Sequence, residues 1–147
     1  MSVRQYSRMI RDGEIAKDDE NSQIMISEDL FRDLLKHAVE KSFDERWYLL
    51  SNPDVGRAVR GGRFKSGLEH YLEFGFYENR LPYSIIVDED FYIQQNPDIR
   101  DALAAGVIEH PQDHFNQIGY KEGRLPSEGW RLTDGPIDLD FSLKSRG

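Results

Sequence analysis

The chain contains one segment twice. Residues 43–82, FDERWYLLSNPDVGRAVRGGRFKSGLEHYLEFGFYENRLP, align without a gap on residues 87–126, VDEDFYIQQNPDIRDALAAGVIEHPQDHFNQIGYKEGRLP, at an offset of 44 positions. Fourteen of the aligned pairs are identical. A duplication of this kind predicts two units of the same local fold that pack on each other. We call residues 43–83 the first copy and residues 87–127 the second copy.

Each copy is predicted to form three short helices. In the first copy, residues 43–51 place apolar side chains at helical spacing. Asn52 followed by Pro53 predicts the start of a second helix, because Asn is a preferred N-cap and Pro fits the first helical position. A third helix is predicted over 67–74, with Gly75 as its C-terminal glycine. Helices this short need packing partners, so the copies are expected to support each other.

The segments outside the copies have different compositions. Ser27 is a predicted N-cap of a helix over 28–41, and residues 1–22 are polar without a period, which indicates a flexible arm. The helical domain is therefore expected over 23–127, with an extended C-terminal tail over 128–147. The predicted class is all-α, with one N-terminal helix followed by two pseudo-symmetric repeats of short helices.

Composition excludes several classes of function. The net charge is −8, so binding to nucleic acid through general phosphate neutralisation is not expected. No cysteine is present, which excludes disulfides, thiolate zinc sites and cysteine nucleophiles. The longest apolar runs are far shorter than a membrane span, so we expect no membrane insertion and a cytoplasmic protein. Nothing in the sequence indicates a cofactor.

The repeated pattern resembles a known bacterial repeat of the form FDxxYYLxxNPDV…EHYxxxGxxEGRxP. That repeat occurs in proteins associated with surface polysaccharides, among them glycosyltransferases and large surface proteins. The chain departs from the pattern at Val87, Asp113 and Asn79, where the repeat has Phe, Glu and Gly. The resemblance implies a connection with surface polysaccharide and brings no catalytic residues with it.

A set of polar residues recurs in both copies. Its members are Asn52, Asp54, His70, Glu78 and Arg80 in the first copy and Asn96, Asp98, His114, Glu122 and Arg124 in the second. Carboxylates beside a histidine could perform acid–base chemistry. The favoured interpretation is a structural network, because such residues satisfy free backbone groups at helix ends. In that network Arg80 and Arg124 are expected to bind a carboxylate.

The copies differ in charge. Residues 43–83 carry six basic and six acidic residues, whereas residues 87–127 carry three and eight. The first copy holds a cluster of basic residues, which could bind an anion or an acidic partner or could be a solvated face. Its members are Arg57, Arg60, Arg63 and Lys65.

Two further groups are candidate sites. The aromatic residues that helical spacing explains least are Phe76, Tyr77, Tyr83 and Tyr120, and these are candidates for an exposed contact with a sugar. His110 and His114 are spaced for zinc, but His110 precedes Pro111 and is more simply an N-cap, so no metal site is predicted.

The function favoured by these features is a non-catalytic binding or assembly module with a protein partner or self-association. One alternative is an enzyme or enzyme subunit acting on a sugar or nucleotide-sugar. Another is a carbohydrate-binding protein with a glycan or nucleotide-sugar as ligand. No nucleophile, metal or dinucleotide motif is present, although a pair of carboxylates leaves no motif in a sequence.

Overall fold

The computed structural model describes residue 13, residues 15–18, residue 20 and residues 23–136. The chain divides into two compact units, residues 1–38 and residues 39–147.

The first unit contains a two-stranded antiparallel sheet. Strands β1 (Ile15–Asp18) and β2 (Gln23–Ile26) pair with Ile15 opposite Ile26 and Asp18 opposite Gln23. β1 lies inside the segment that was expected to be a flexible arm, so this expectation is corrected for residues 15–18. Main-chain hydrogen bonds form such a pair, and four residues are too few to show a side-chain period.

Helix α1 (Glu28–Val39) follows the sheet. The Ser27 hydroxyl accepts a hydrogen bond from the Leu30 amide at 3.2 Å, as expected of an N-cap. The helix ends two residues before the predicted position, where the amides of Ser42 and Phe43 both donate to the carbonyl of Val39. These two bonds form a turn around the carbonyl of the last helical residue, and the helix ends there.

The second unit contains both copies. The first copy forms α2 (Glu45–Ser51), α3 (Pro53–Arg60) and α4 (Gly67–His70), and the second forms α5 (Glu89–Gln95), α6 (Pro97–Ala104) and α7 (Pro111–His114). Each helix of the second copy begins and ends 44 positions after its counterpart. The all-α class is confirmed.

The third helix of each copy differs from its prediction. α4 and α7 last only one turn and continue as π-helical turns, Tyr71–Gly75 and Phe115–Gly119. Gly75 does not end a helix in the left-handed conformation. A Cβ added to Gly75 would collide with the hydroxyl of Tyr48. Gly119 has the same relation to Tyr92, so the two glycines serve the close approach of a tyrosine.

The left-handed residue comes four positions later. Asn79 has φ 55°, and its counterpart Gly123 has φ 75°. Asn tolerates this conformation better than other residues with a side chain. The departure from the Gly of the repeat pattern is therefore accommodated without a change of turn.

Asn52 and Asn96 do not act as side-chain N-caps, which corrects the sequence prediction. Each stands immediately before a helix that begins with Pro, but neither side chain bonds to the first amides of that helix. Instead Nδ2 of Asn52 donates backwards to the carbonyl of Tyr48 at 2.8 Å, at the end of α2. The carboxylates of Asp44 and Asp88 are N-caps, of α2 and α5.

Aromatic rings form the interior of both copies. In the first copy Tyr48 and Tyr71 meet edge to face with centroids 5.8 Å apart, and in the second Tyr92 and Phe115 do so at 5.9 Å. The core of the second copy also takes in Tyr83 from the end of the first copy and Ile85 from the segment between the copies. This core consists of Tyr83, Ile85, Val87, Tyr92, Ile99 and Phe115.

The segment between the copies is held by Gln112. Its amide nitrogen donates to the carbonyl of Ile85, and its amide oxygen accepts from the amide of Val87, both at 2.9 Å. The beginning of the tail also lies against this region. Trp130 packs on the core of the second copy, and the Tyr83 hydroxyl donates to the carbonyl of Leu132 at 2.8 Å. The rest of the tail, from residue 137, lies outside the described residues.

Candidate functional site

The polar residues shared by the copies lie together around one guanidinium group. In the first copy, Arg80 Nη1 and Nη2 donate to the two carboxylate oxygens of Asp54 at 3.1 and 2.8 Å. Nη1 also donates to the amide oxygen of Asn52 at 2.8 Å, and Nε donates to Glu78 at 2.6 Å. Arg80 therefore joins the loop after the π-helical turn to the start of α3 with charge-assisted bonds.

Tyr48 and His70 extend this network into the core. The Tyr48 hydroxyl lies 3.0 Å from Nδ1 of His70, and His70 is only 6% exposed. Burial, aided by the charge of Arg80, lowers the pKa of His70. Burial also raises the pKa of Tyr48. A neutral imidazole and a protonated phenol therefore face each other, and the phenol can donate to Nδ1.

The second copy repeats the same bonds. Arg124 donates to Asp98 at 2.9 and 2.8 Å, to Asn96 at 3.0 Å and to Glu122 at 2.8 Å. The Tyr92 hydroxyl lies 2.9 Å from Nδ1 of His114. The ten polar residues singled out in the sequence are thus placed in two separate networks, one in each copy.

The electrostatics of these networks do not suit acid–base catalysis. The hydrogen bond from Arg80 lowers the pKa of Asp54, and the bond from Arg124 lowers the pKa of Asp98. Glu78 is also ion-paired with Arg80, at 2.6 Å. A general acid at neutral pH needs a carboxyl group whose pKa is raised, and the arginines lower the pKa of both Asp54 and Asp98.

A cleft opens where the two copies meet. Its volume is about 660 Å³, within the range of pockets that bind small molecules. It is lined by Trp47, Ser51, Asn52, Glu78, Asn79, Arg80 and Leu81 of the first copy and by Asn116, Tyr120 and Lys121 of the second. An indole, a phenol, three amides and three charged groups thus converge on one space.

Part of this lining is already oriented by internal bonds. The amide oxygen of Asn116 accepts from Gln112 Nε2 at 3.1 Å, so its amide nitrogen is the group that remains to donate. Lys121 is exposed and forms no ion pair with another described residue. With Glu78 and Arg80 paired to each other, Lys121 gives the cleft its remaining positive charge.

Sequence reasoning missed most of the residues that make this cleft. Trp47, Asn116 and Lys121 were not candidate residues, because each differs from its counterpart and none belongs to the cluster of basic residues. Their counterparts are Phe91, Leu72 and Tyr77. The duplication itself contained a usable signal. Where two copies pack on each other, each contributes a different part of its surface, so residues that differ between the copies are the ones expected to line the cleft.

The basic residues of the first copy lie on α3 and on the loop after it. Arg57, Arg60, Arg63 and Lys65 are all exposed, and none forms an ion pair with another described residue. The guanidinium carbon of Arg63 lies 5.6 Å from the centre of the Phe64 ring, a cation–π contact. A small cavity of about 260 Å³ lies here, and its lining includes Arg63, His70 and Phe74.

The four aromatic contact candidates have different environments. Tyr77 is exposed, and Phe76 and Tyr120 are half-buried. Tyr83 is 1% exposed, so its prediction as an exposed contact is wrong. Burial raises the pKa of Tyr83 to about 12. The Tyr83 hydroxyl bonds to the carbonyl of Leu132 in the tail, and a contact across 49 positions cannot be predicted from local spacing.

The histidine pair is not arranged as a metal site. His110 is exposed and stands at the N-cap position of α7, but its side chain makes no capping bond, which corrects the prediction of an N-cap. Nδ1 of His114 faces the Tyr92 hydroxyl. Within the described residues, no group of three His, Asp or Glu side chains is placed to hold a metal ion.

Comparisons with known proteins add no relative. The chain matches no family model, no curated protein and no solved structure. Among the residues that the structure describes, no helix has the length and apolar character needed to cross a membrane.

Proposed function

We propose that the chain is a non-catalytic binding or assembly module and that its ligand site is the cleft between the copies. One observation carries this proposal: the polar residues that could have performed chemistry are bound to each other in both copies, whereas the cleft offers donors and an aromatic ring to a ligand. A site for binding needs such groups in a concave surface.

Carbohydrate is the ligand class that the lining favours. The half-buried indole of Trp47 offers an apolar face on which a sugar ring can stack, and the amide of Asn116 and the ammonium of Lys121 can bond to hydroxyl groups. The resemblance of the repeat to those of surface-polysaccharide proteins points to the same ligand class. The bacterial context and a cytoplasmic location remain predictions.

An enzyme acting on a sugar or nucleotide-sugar is the second candidate. Glu78 is the observation in its favour, because this carboxylate lines the cleft. The ion pair between Glu78 and Arg80 at 2.6 Å weighs against it, since this carboxylate is already bound to a guanidinium group.

A thermal-shift screen against neutral and acidic oligosaccharides and nucleotide-sugars tests the proposal. A ligand at 100 times its dissociation constant should stabilise the protein by about 2.7 kcal/mol. Trp47→Ala should abolish the shift. Phe91→Ala, which also replaces an aromatic residue by alanine at the equivalent position of the second copy, should retain it. The binding proposal fails if no ligand shifts the transition or if Trp47→Ala keeps the shift. Conversion of any ligand during incubation would instead support the enzyme.

A further inference from the structure

The basic residues on α3 and the loop after it have acidic counterparts in the second copy. Arg57 and Lys65 have Asp101 and Glu109 as their counterparts 44 positions later. All four residues are exposed. Because α3 and α6 begin and end at equivalent residues, the same local shape carries opposite charge in the two copies.

Each of these surfaces also exposes apolar side chains. Phe74 is 44% exposed in the first copy, and its counterpart Ile118 is 47% exposed in the second. Val107, which stands where the first copy has Arg63, is 75% exposed. An apolar centre with a charged rim is the usual composition of a protein–protein interface.

Within residues 23–136, the charged groups of these two surfaces form no ion pair that would occupy them. None of the basic residues on α3 and the loop after it forms an ion pair with another described residue. On the acidic side, within residues 23–136, the one ion pair is between Asp101 and its neighbour Arg100, at 3.2 Å, and both are mostly exposed. Exposed pairs of this kind contribute little, so Asp101 remains available.

We propose that the basic surface of the first copy binds the acidic surface of the second copy in another molecule of the same chain. The basic surface consists of Arg57, Arg60, Arg63, Lys65 and Phe74. The acidic surface consists of Asp101, Val107, Glu109, Asp113 and Ile118. Charge complementarity selects this occupant, because a surface meeting its own kind would bring like charges together.

This contact goes beyond the proposed function and does not depend on the cleft. Trp47→Ala, which tests the cleft, should leave self-association unchanged, so the two proposals can fail separately. Sedimentation velocity over a range of protein concentrations, at about 0.05 M and about 1 M NaCl, measures the contact. Association should be strong at low salt and weak at high salt, because the Debye length falls from over 10 Å to about 3 Å.

An exchange of residues between the copies gives a sharper test. Arg57→Asp with Lys65→Glu cancels the positive charge of the basic surface, and Asp101→Arg with Glu109→Lys reverses the sign of the acidic surface. Each double variant alone should raise the dissociation constant by about tenfold or more, because the first removes the attraction and the second makes like charges face each other. Mixing the two variants should restore association, because the unchanged acidic surface of the first variant then meets the unchanged basic surface of the second. Circular dichroism confirms that the variants are folded.

The apolar centre has its own control. Val107→Ser should weaken association, whereas Leu50→Ser, a change at a similarly exposed apolar residue on α2, should not. The proposal is overturned if the wild-type chain sediments as a monomer at every concentration at low salt. It is also overturned if the double variants associate as the parent does, or if mixing them restores nothing.

Discussion

The two copies agree in their interior and disagree on their surface. Their six network bonds match within 0.2 Å, from the pairs Arg80–Asp54 and Arg124–Asp98 to the tyrosine–histidine contacts. Over the same residues the net charge changes from zero to −5. The polar network is the same in two copies with different surface charge, so we assign it to stabilising the fold. The residues that differ between the copies are therefore the candidates for binding.

The largest effect should come from the glycine that faces the tyrosine. Gly75→Ala and Gly119→Ala should each lower the free energy of unfolding by about 3 kcal/mol, because the new methyl group collides with a buried hydroxyl. Urea denaturation measures the loss. Adding Tyr48→Phe should recover part of the loss in Gly75→Ala and none in Gly119→Ala. Full stability of Gly75→Ala would contradict the close approach.

A smaller loss is expected when the guanidinium is replaced. Arg80→Lys and Arg124→Lys should each cost about 1 to 2 kcal/mol, because the lysine ammonium keeps the charge but cannot reproduce the planar set of donors with which the guanidinium binds both carboxylate oxygens of Asp together with Asn. The partners are partly exposed, which limits the effect. Denaturant titration of both variants should give equal losses. Unequal losses would show that the two networks are not energetically equivalent.

Asn52→Ala and Asn96→Ala should each destabilise by about 1 kcal/mol. The reason is loss of the link between the Tyr48 carbonyl and Arg80, and not loss of a helix cap. Asn52→Asp separates the two explanations. An aspartate caps a helix as well as an asparagine does, but it cannot donate to the carbonyl. Calorimetry should show that Asn52→Asp is destabilised. An unchanged free energy of unfolding would instead support the role of Asn52 as an N-cap.

The smallest effect concerns pH. The pKa of His70 is lower in the folded protein than its ordinary value of 6.5, so the unfolded chain binds more protons as the pH falls below 6.5. The contribution of His70 is therefore complete above pH 6.5 and is lost as the pH falls toward its folded pKa. Thermal unfolding between pH 7 and pH 5 should show this loss, and His70→Gln should reduce it. An unchanged pH profile in His70→Gln would assign the loss to other groups.

The sequence could predict what adjacent residues determine. The position of α1, the start of α3 after Asn52-Pro53 and the pairing of helix bounds between the copies follow from spacing, caps and duplication. It could not predict contacts between distant residues. The reason for Gly75 lies 27 positions away at Tyr48, and the burial of Tyr83 depends on Leu132.

The candidate site shows the same division. The shared polar residues stood out because both copies keep them at the same spacing. The cleft did not, because its lining includes Trp47 from one copy and Lys121 from the other, and their proximity depends on how the copies pack. Asn52 was found as a residue of interest but assigned the wrong partner, since an amide can bond equally well to a helix end or to a guanidinium.

The main chain of each copy returns to its starting point. The amide of Asp44 donates to the carbonyl of Pro82 at 3.2 Å, and the amide of Asp88 donates to the carbonyl of Pro126 at 2.9 Å. The entry and exit of each copy therefore lie side by side, and its polar network is complete between them. A unit with adjacent ends can be duplicated in a gene, or inserted into a host loop, without stretching the chain around it. Circular permutation within a copy has the same geometric advantage, since a short linker can span the gap.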